Sequence, residues 1–75
     1  MSRLPRITAR QAEKVIRELG FELRRQSGSH KIFWNDDIGK RITLPSHGHK
    51  IIHPKIVRDV IRDSGVSSEE FFDLL

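Results

Sequence analysis

Apolar residues recur at helical spacing in the N-terminal segment ITARQAEKVIRELGF. The apolar positions are Ala9, Ala12, Val15, Ile16 and Leu19. Together they form one stripe of an amphipathic helix that faces a core. Thr8 and Gln11 have the spacing of a capping box, and Gly20 stands where a helix can stop in the left-handed conformation. The pattern therefore predicts a helix over roughly residues 9–19.

Three short strand-like runs follow this helix: FELRRQ, HKIFWN and KRITLP. SGS and DDIG separate them, so the runs are expected to pair as an antiparallel meander. Side chains alternate between the two faces of a strand. The alternation predicts one shared core face with the residues Phe21, Leu23, Ile32, Trp34, Ile42 and Leu44. In this register Arg25 and His30 also lie on the core face, and Phe33 lies on the opposite one.

The last third of the chain predicts two more helices. PKIVRDVIRDSGV begins with a proline suited to the first helical position, carries an apolar stripe at helical spacing and ends at Gly65. In the tail SSEEFFDLL, Ser67 and Glu70 have capping-box spacing, which predicts a short third helix. Its apolar side chains are expected to pack on the domain's own core, with a partner interface as the alternative.

The predicted order is helix, three antiparallel strands, helix and short helix, which is an α+β fold in a single domain over residues 1–75. Two helices on one side of a three-stranded sheet leave its other face open. The chain has no cysteine, so neither a disulfide nor a thiolate zinc site is expected. It has no long apolar run and no signal-peptide core, so the expected location is the cytoplasm.

Positive charge is concentrated in the N-terminal half. The chain has a net charge of +4, and residues 1–35 hold eight Lys or Arg against three Glu. A basic half suits a polyanion, because Lys and Arg gain affinity by neutralising phosphates and releasing counterions. A solubilising surface or an acidic protein partner would carry the same bias.

Several motifs occur in a fixed order along the chain. They are GSH at residues 28–30 with Phe33 three positions on, PSH at residues 45–47, and PKIVRDVIRDSGVS at residues 54–67. The ordered set, over residues 8–75, closely resembles the HicA toxins, which are mRNA interferases of bacterial type II toxin–antitoxin systems.

The resemblance implies a fold like that of double-stranded-RNA-binding domains, which agrees with the order predicted from the hydrophobic pattern. It implies a ribonuclease that cleaves mRNA independently of the ribosome, with the motif histidine His30 as its catalytic residue. It also implies a HicB-type antitoxin as the partner. The toxin alone is expected to be a monomer, and with its antitoxin it is expected to form a larger complex.

The chemistry of the residues around His30 agrees with that role. A neutral imidazole, with an ordinary pKa of about 6.5, can take the proton of an RNA 2′-hydroxyl, which then attacks the adjacent phosphorus. This reaction needs no metal and no cofactor. The alternative is a strand-end histidine bonded to a nearby backbone group.

Candidate RNA-binding residues flank this histidine. Arg24, Arg25 and Lys31 can hold the scissile phosphate or stabilise the charge that develops on it. Alternation places Arg24 and Arg25 on opposite faces, so only Arg25 is expected to join His30. Gly28 permits close approach of a phosphate, and Ser29 adds a hydroxyl donor.

The other histidines leave two possibilities open. His47 follows the third strand and is the candidate for a general acid, although a polar loop residue is the alternative. His47, His49 and His53 have a spacing that could gather three imidazoles around Zn²⁺, but neither a cysteine nor an adjacent carboxylate supports such a site, so no metal is predicted.

Three functions of different classes remain. The first is a toxin ribonuclease that acts on single-stranded mRNA, whose bases and 2′-hydroxyls are accessible. The second is a non-catalytic RNA-binding module that uses the same basic surface. The third is a protein-interaction domain that docks an acidic partner.

Overall fold

The computed structural model describes residues 6–47 and 49–75. Its elements are α1 (Ala9–Glu18), β1 (Glu22–Ser27), β2 (His30–Asn35), β3 (Lys40–Pro45), α2 (Pro54–Ser64) and α3 (Ser68–Asp73). The strands form one antiparallel sheet in the order β1-β2-β3. The order α1-β1-β2-β3-α2, followed by a short helix, confirms the predicted α+β fold and is consistent with the double-stranded-RNA-binding-domain-like architecture.

The helices begin and end at the residues that the local signals predict. At the start of α1, the Gln11 amide donates to the Thr8 hydroxyl at 3.1 Å, and the Thr8 amide donates to the Gln11 side-chain oxygen at 2.9 Å. Two of the amides that a helix N-terminus leaves unpaired are satisfied in this way. Gly65 ends α2 with φ of 80°, a conformation that glycine adopts without a Cβ clash.

The short helix α3 packs on the domain's own core, as expected. The Ser67 hydroxyl accepts a hydrogen bond from the Glu70 amide at 3.1 Å and caps the helix. Phe71 is fully buried, and Phe72 and Leu74 are partly buried against the same core. Most of the apolar side chains of the tail therefore pack on the domain's own core.

The predicted core face of β2 is wrong by one residue. Phe33 is fully buried, with Leu23 opposite it on β1 and Ile42 opposite it on β3. Ile32 and Trp34 lie on the other face and are half-buried. Because β2 is apolar at three consecutive positions, 32 to 34, its own pattern does not distinguish the two faces, and the pairing with its neighbours decides.

The sheet therefore has a helix-covered face and an open face. Members of the open face are Glu22, Arg25, Ser27, His30, Ile32, Trp34, Arg41, Thr43 and Pro45, as the cross-strand pairs show. They are exposed or half-buried. The core, which includes Phe33 and Ile42 from the sheet and Val15 and Val57 from the helices, lies on the other side.

An irregularity in β1 decides where Arg25 lies. Leu23 pairs with Phe33 on the helix-covered face, but the register shifts between Leu23 and Arg25, and Arg25 pairs with Ile32 on the open face. A β-bulge inserts one residue into a strand, so side chains two positions apart come to face opposite sides. His30 and Arg25 consequently share the open face, not the predicted core face.

Asn35 is a buried polar residue that joins β2 to α1. Its side-chain amide donates to the Leu19 carbonyl at 3.3 Å, and its side-chain oxygen accepts from the Asp37 amide at 3.0 Å. A carbonyl at the end of α1 is thereby satisfied.

None of the helices described here has the length and apolar character needed to span a membrane.

The corrected register makes a stability prediction. Phe33→Ala should lower the free energy of unfolding by about 3–5 kcal/mol, because it leaves a cavity in a packed core. Ile32→Ala, its matched control on the open face, should have a much smaller effect. Denaturant unfolding followed by circular dichroism would measure both, and a larger loss for Ile32→Ala would contradict the register.

Candidate functional site

His30 is held at one end of the open face by the turn that precedes it. It is the first residue of β2 and pairs with Ser27 across the two-residue turn formed by Gly28 and Ser29. On its other side it pairs with Pro45 at the end of β3. The imidazole is exposed, although it belongs to the central strand. A base in this place is accessible to a large ligand.

The turn beside His30 has its own structural requirements. Gly28 has φ of 59°, a left-handed conformation common in two-residue hairpin turns. No atom lies within 4 Å of the place where a Cβ would stand, so this side of the turn is open. The Ser29 carbonyl accepts a hydrogen bond from the Ser46 amide at 2.6 Å, which ties the turn to the end of β3.

Only one of the two predicted arginines lies near His30. Arg25 is the diagonal neighbour of His30 on the open face, a relation that places Cα atoms about 7–8 Å apart. Arg24 instead forms an ion pair with Asp36, just after the far end of β2. Arg25 forms none of the ion pairs found among residues 6–47 and 49–75. Its guanidinium is available to an anion at the His30 end of the sheet.

Lys31 does not share a face with His30, although it is the next residue. It lies on the helix-covered face, where its ammonium is 2.8 Å from a carboxylate oxygen of Glu13 on α1. The two side chains are only 22% and 19% exposed. The structure thus separates Lys31 from the imidazole that it was predicted to assist.

A basic cleft of about 360 Å³ lies between α1 and the start of β2. Its lining residues are Arg10, Glu13, Lys14, Arg17, Lys31 and Ser46. The three cations of α1 recur at helical spacing and therefore lie on one face of the helix. Sequence reasoning did not predict that they form a cleft with Lys31, because that depends on the facing of β2.

His47 lies at the same end of the sheet as His30. It comes directly after Ser46, whose amide extends the β3 pairing to Ser29, and it is exposed. Its carbonyl accepts a hydrogen bond from the Lys50 amide at 3.4 Å. The placement is compatible with a role beside His30, and it is also that of an ordinary loop residue.

The structure does not gather the three C-terminal histidines around a metal. Within the part of the chain that is described, no group of three or more His, Asp or Glu is arranged to hold a metal ion. The Nδ1 atom of His53 accepts a hydrogen bond from the Lys55 amide at 3.0 Å, so this ring caps α2. Its conformation is explained by helix capping.

A comparison with protein-family models identifies the family of the chain. The family model described as the HicA toxin of bacterial toxin–antitoxin systems matches residues 9–66 of the 75. The chain belongs to the HicA toxin family. The match extends from the start of α1 past the end of α2 and includes His30, Arg25 and His47. A search of curated proteins returned no match.

In this HicA-family chain, one carboxylate holds the helix-covered side of the site together. Glu13 accepts hydrogen bonds from Lys31 at 2.8 Å and from Arg17 at 3.1 Å. Burial by itself raises the pKa of a carboxyl, but these hydrogen bonds and the two positive charges outweigh it and hold the pKa of Glu13 below its ordinary value. The Arg17 guanidinium also lies 5.6 Å from the centre of the Phe33 ring.

The lowered pKa of Glu13 predicts a pH-dependent contribution to stability. Glu13→Gln should lower the free energy of unfolding by about 1 kcal/mol near neutral pH, because it removes a partly shielded charge-assisted pair. The contribution should be complete above about pH 4.3, the ordinary pKa of Glu in an unfolded chain, and be lost as the pH falls through the lower folded value.

Denaturant titrations of both proteins over a pH series measure this effect. Glu18→Gln is the matched control, because Glu18 pairs with Lys14 at the surface of the same helix, where the side chains are 43% and 58% exposed. A difference between wild type and Glu13→Gln that grows towards acid pH would contradict the assignment.

Proposed function

We propose that this HicA-family toxin is a metal-independent endoribonuclease that cleaves mRNA independently of the ribosome, with His30 as the general base. The observation that carries the proposal is an exposed imidazole on the open face of the sheet, with Arg25 as its diagonal neighbour. The Arg25 guanidinium takes part in none of the ion pairs of the described residues. Membership of a toxin family supports it. No described helix packs on the open face, so a nucleic acid strand can reach it.

The reaction begins with proton transfer to the unprotonated nitrogen of His30 from an RNA 2′-hydroxyl. The 2′-oxygen forms a bond to the adjacent phosphorus, and the bond from phosphorus to the 5′-oxygen breaks. The products are a 2′,3′-cyclic phosphate and a 5′-hydroxyl, and the leaving oxygen takes up a proton. General base catalysis of this type contributes about 100- to 10,000-fold to the rate.

Arg25 is the proposed partner of the scissile phosphate. A guanidinium presents several N–H donors in one plane and binds phosphate oxygens in pairs, so it stabilises the charge that develops as the 2′-oxygen attacks. The unobstructed space beside Gly28 and the hydroxyl of Ser29 lie at the same turn. Arg24 and Lys31 are held by Asp36 and Glu13, so their proposed contribution is to the general attraction of RNA.

The proton for the leaving oxygen comes either from His47 or from water. The position of His47, past the strand end that pairs with His30, supports the first alternative. The two differ in one consequence: His47→Ala slows cleavage if the imidazole is the acid and leaves the rate unchanged if water is.

A HicB-type antitoxin is the proposed protein partner. A toxin of this type is neutralised when a partner prevents RNA from reaching its active surface, and His30 is accessible from the open face. The same face therefore has to be covered or occluded in the complex. The gene adjacent to that of the toxin is the expected source of the antitoxin.

His30→Ala should reduce RNA cleavage about 100- to 10,000-fold while leaving the fold and salt-dependent RNA binding intact, because it removes the base and no core contact. Cleavage of a defined mRNA by the purified protein measures the effect, and induction in cells measures growth arrest. His49→Ala is the matched control, since His49 is an exposed loop histidine with no proposed role.

Equal cleavage and equal toxicity of wild type and His30→Ala would overturn the catalytic assignment. RNA binding without any cleavage by the wild type would instead identify a non-catalytic RNA-binding module. Cleavage should persist in the presence of a chelator, and its loss together with recovery by added metal would contradict a metal-independent mechanism.

The product of the adjacent gene, if it is a HicB-type protein, should form a stable complex with the toxin and abolish cleavage. Co-purification and an RNA-cleavage assay with increasing antitoxin measure both properties. His30→Ala toxin serves as the binding-competent control. Tight binding combined with the absence of any RNA cleavage or growth arrest by the free toxin would support the protein-interaction function in place of the ribonuclease.

A further inference from the structure

The only tryptophan of the chain lies on the open face. Trp34 is half-buried on a face that no described helix covers, so part of its side chain is accessible to solvent. Arg41 is its cross-strand partner on β3, and the Arg41 guanidinium lies 5.6 Å from the centre of the ring. The guanidinium lies over the ring, and the exposed Arg41 side chain and the half-buried ring together form a patch that is accessible to solvent.

Trp34 stands in the same row as the proposed general base. Side chains on β2 alternate, so the open-face residues of this strand are His30, Ile32 and Trp34. Trp34 is four positions after His30 in an extended strand, which corresponds to about 13 Å between their Cα atoms. His30 and Trp34 therefore lie at the two ends of a line of open-face side chains along β2, which we call the track.

Charge differs between the two ends of this track. Beside Trp34 is a cavity of about 140 Å³, to whose lining Glu22, Asp36 and Asp37 contribute carboxylates and Arg24 a guanidinium. Arg24 pairs with Asp36, whereas Glu22 and Asp37 form none of the ion pairs found among the described residues. These two carboxylates disfavour a phosphate at this end, because like charges repel. At the other end Arg25 lies near His30 and favours one. A nucleotide at the Trp34 end is thus held better by its base than by its phosphate.

We propose that Trp34 and Arg41 form a stacking platform for one base of a single-stranded RNA, a few nucleotides from the phosphate that His30 acts upon. Unpaired bases stack on aromatic rings and on guanidinium planes, which are the two groups present here. Bases inside a duplex are already stacked, so the platform selects single-stranded RNA. The inference rests on the proposed ribonuclease function and deepens it by assigning a substrate-positioning residue.

Binding can be tested apart from cleavage in the His30→Ala protein. The probe is an oligoadenylate of about eight nucleotides, within the usual site size of surfaces that bind single strands. Because Trp34 is the only tryptophan, a stacked base should quench the intrinsic fluorescence of the protein directly. A duplex of the same length should quench much less.

Substitutions measure the size of the effect. In the His30→Ala background, Trp34→Leu should weaken binding of fluorescently labelled oligoadenylate about 5- to 150-fold, the range expected for loss of one base–aromatic stack. Trp34→Phe keeps an aromatic ring and should retain most of the affinity. Arg41→Ala should weaken binding, whereas Arg62→Ala, which removes an exposed arginine from α2, should not do so to the same extent.

Cleavage by proteins that retain His30 locates the platform relative to the reaction. Trp34→Leu should raise KM for long single-stranded RNA and leave kcat nearly unchanged. It should have no effect on a dinucleotide, which is too short to reach from His30 to the ring. Thermal unfolding and the Trp34→Phe protein show whether any loss is due to the fold.

The outcomes separate this inference from the function on which it rests. Cleavage by wild type that requires His30, with no quenching and no change in Trp34→Leu, would overturn the platform and leave the ribonuclease standing. Quenching by single strands without any cleavage would uphold the platform and overturn the ribonuclease. Loss of antitoxin binding but not of RNA binding in Trp34→Leu would assign the ring to the protein partner and overturn the platform.

Discussion

Phe33 packs between Leu23 and Ile42 beneath the helices, and the burial of this one ring determines the facing of all of β2. Side chains on a strand alternate, so with Phe33 inside, His30 and Trp34 must lie outside. Removing a phenylalanine of this kind from a core costs about 3–5 kcal/mol, which is a large share of the stability of a small domain. The accessibility of the proposed base is therefore enforced by packing that involves no functional residue.

Two further features distribute the positive charge around this strand. The register shift in β1 turns Arg25 to the open face, while Leu23 stays in the core. On the other side, Glu13 binds Lys31 and Arg17 and limits the free charge of the cleft beside α1. Neighbouring basic residues thus have different roles. Arg25 lies near His30 and has no ion-pair partner in the part of the chain that is described, whereas Lys31 links β2 to α1.

Local signals in the sequence predicted most of the fold. The capping box at Thr8, the glycine stop at Gly65 and the turns between the strands act over a few residues, and each is visible in the chain itself. The facing of β2 is different, because Ile32, Phe33 and Trp34 are all apolar and only pairing with β1 and β3 selects the buried one. The prediction placed Ile32 and Trp34 in the core in place of Phe33, and this single error reversed the faces predicted for His30 and Phe33.

The same limit applies to the surroundings of the site. Asp36 holds Arg24, and Glu13 holds Lys31, through contacts across 12 and 18 positions of sequence. Nothing in a single sequence identifies such partners. The motif predicted His30, and alternation along the strands predicted that Arg25 lies on the same face. Both residues do share a face, because of the bulge in β1, but it is the open face and not the predicted core face. Which arginine is free was settled by tertiary contacts.

The open face follows from where the apolar side chains lie. The described helices and one face of the sheet supply the core, and no described helix covers the second face. The second face is in contact with water, and there the Arg41 guanidinium lies over the Trp34 ring in a cation–π contact while both groups stay accessible to a ligand. An extended polyanion with unstacked bases offers the open face the same two contacts, phosphate on guanidinium and base on ring. The proposed RNA substrate would make both contacts along this one face.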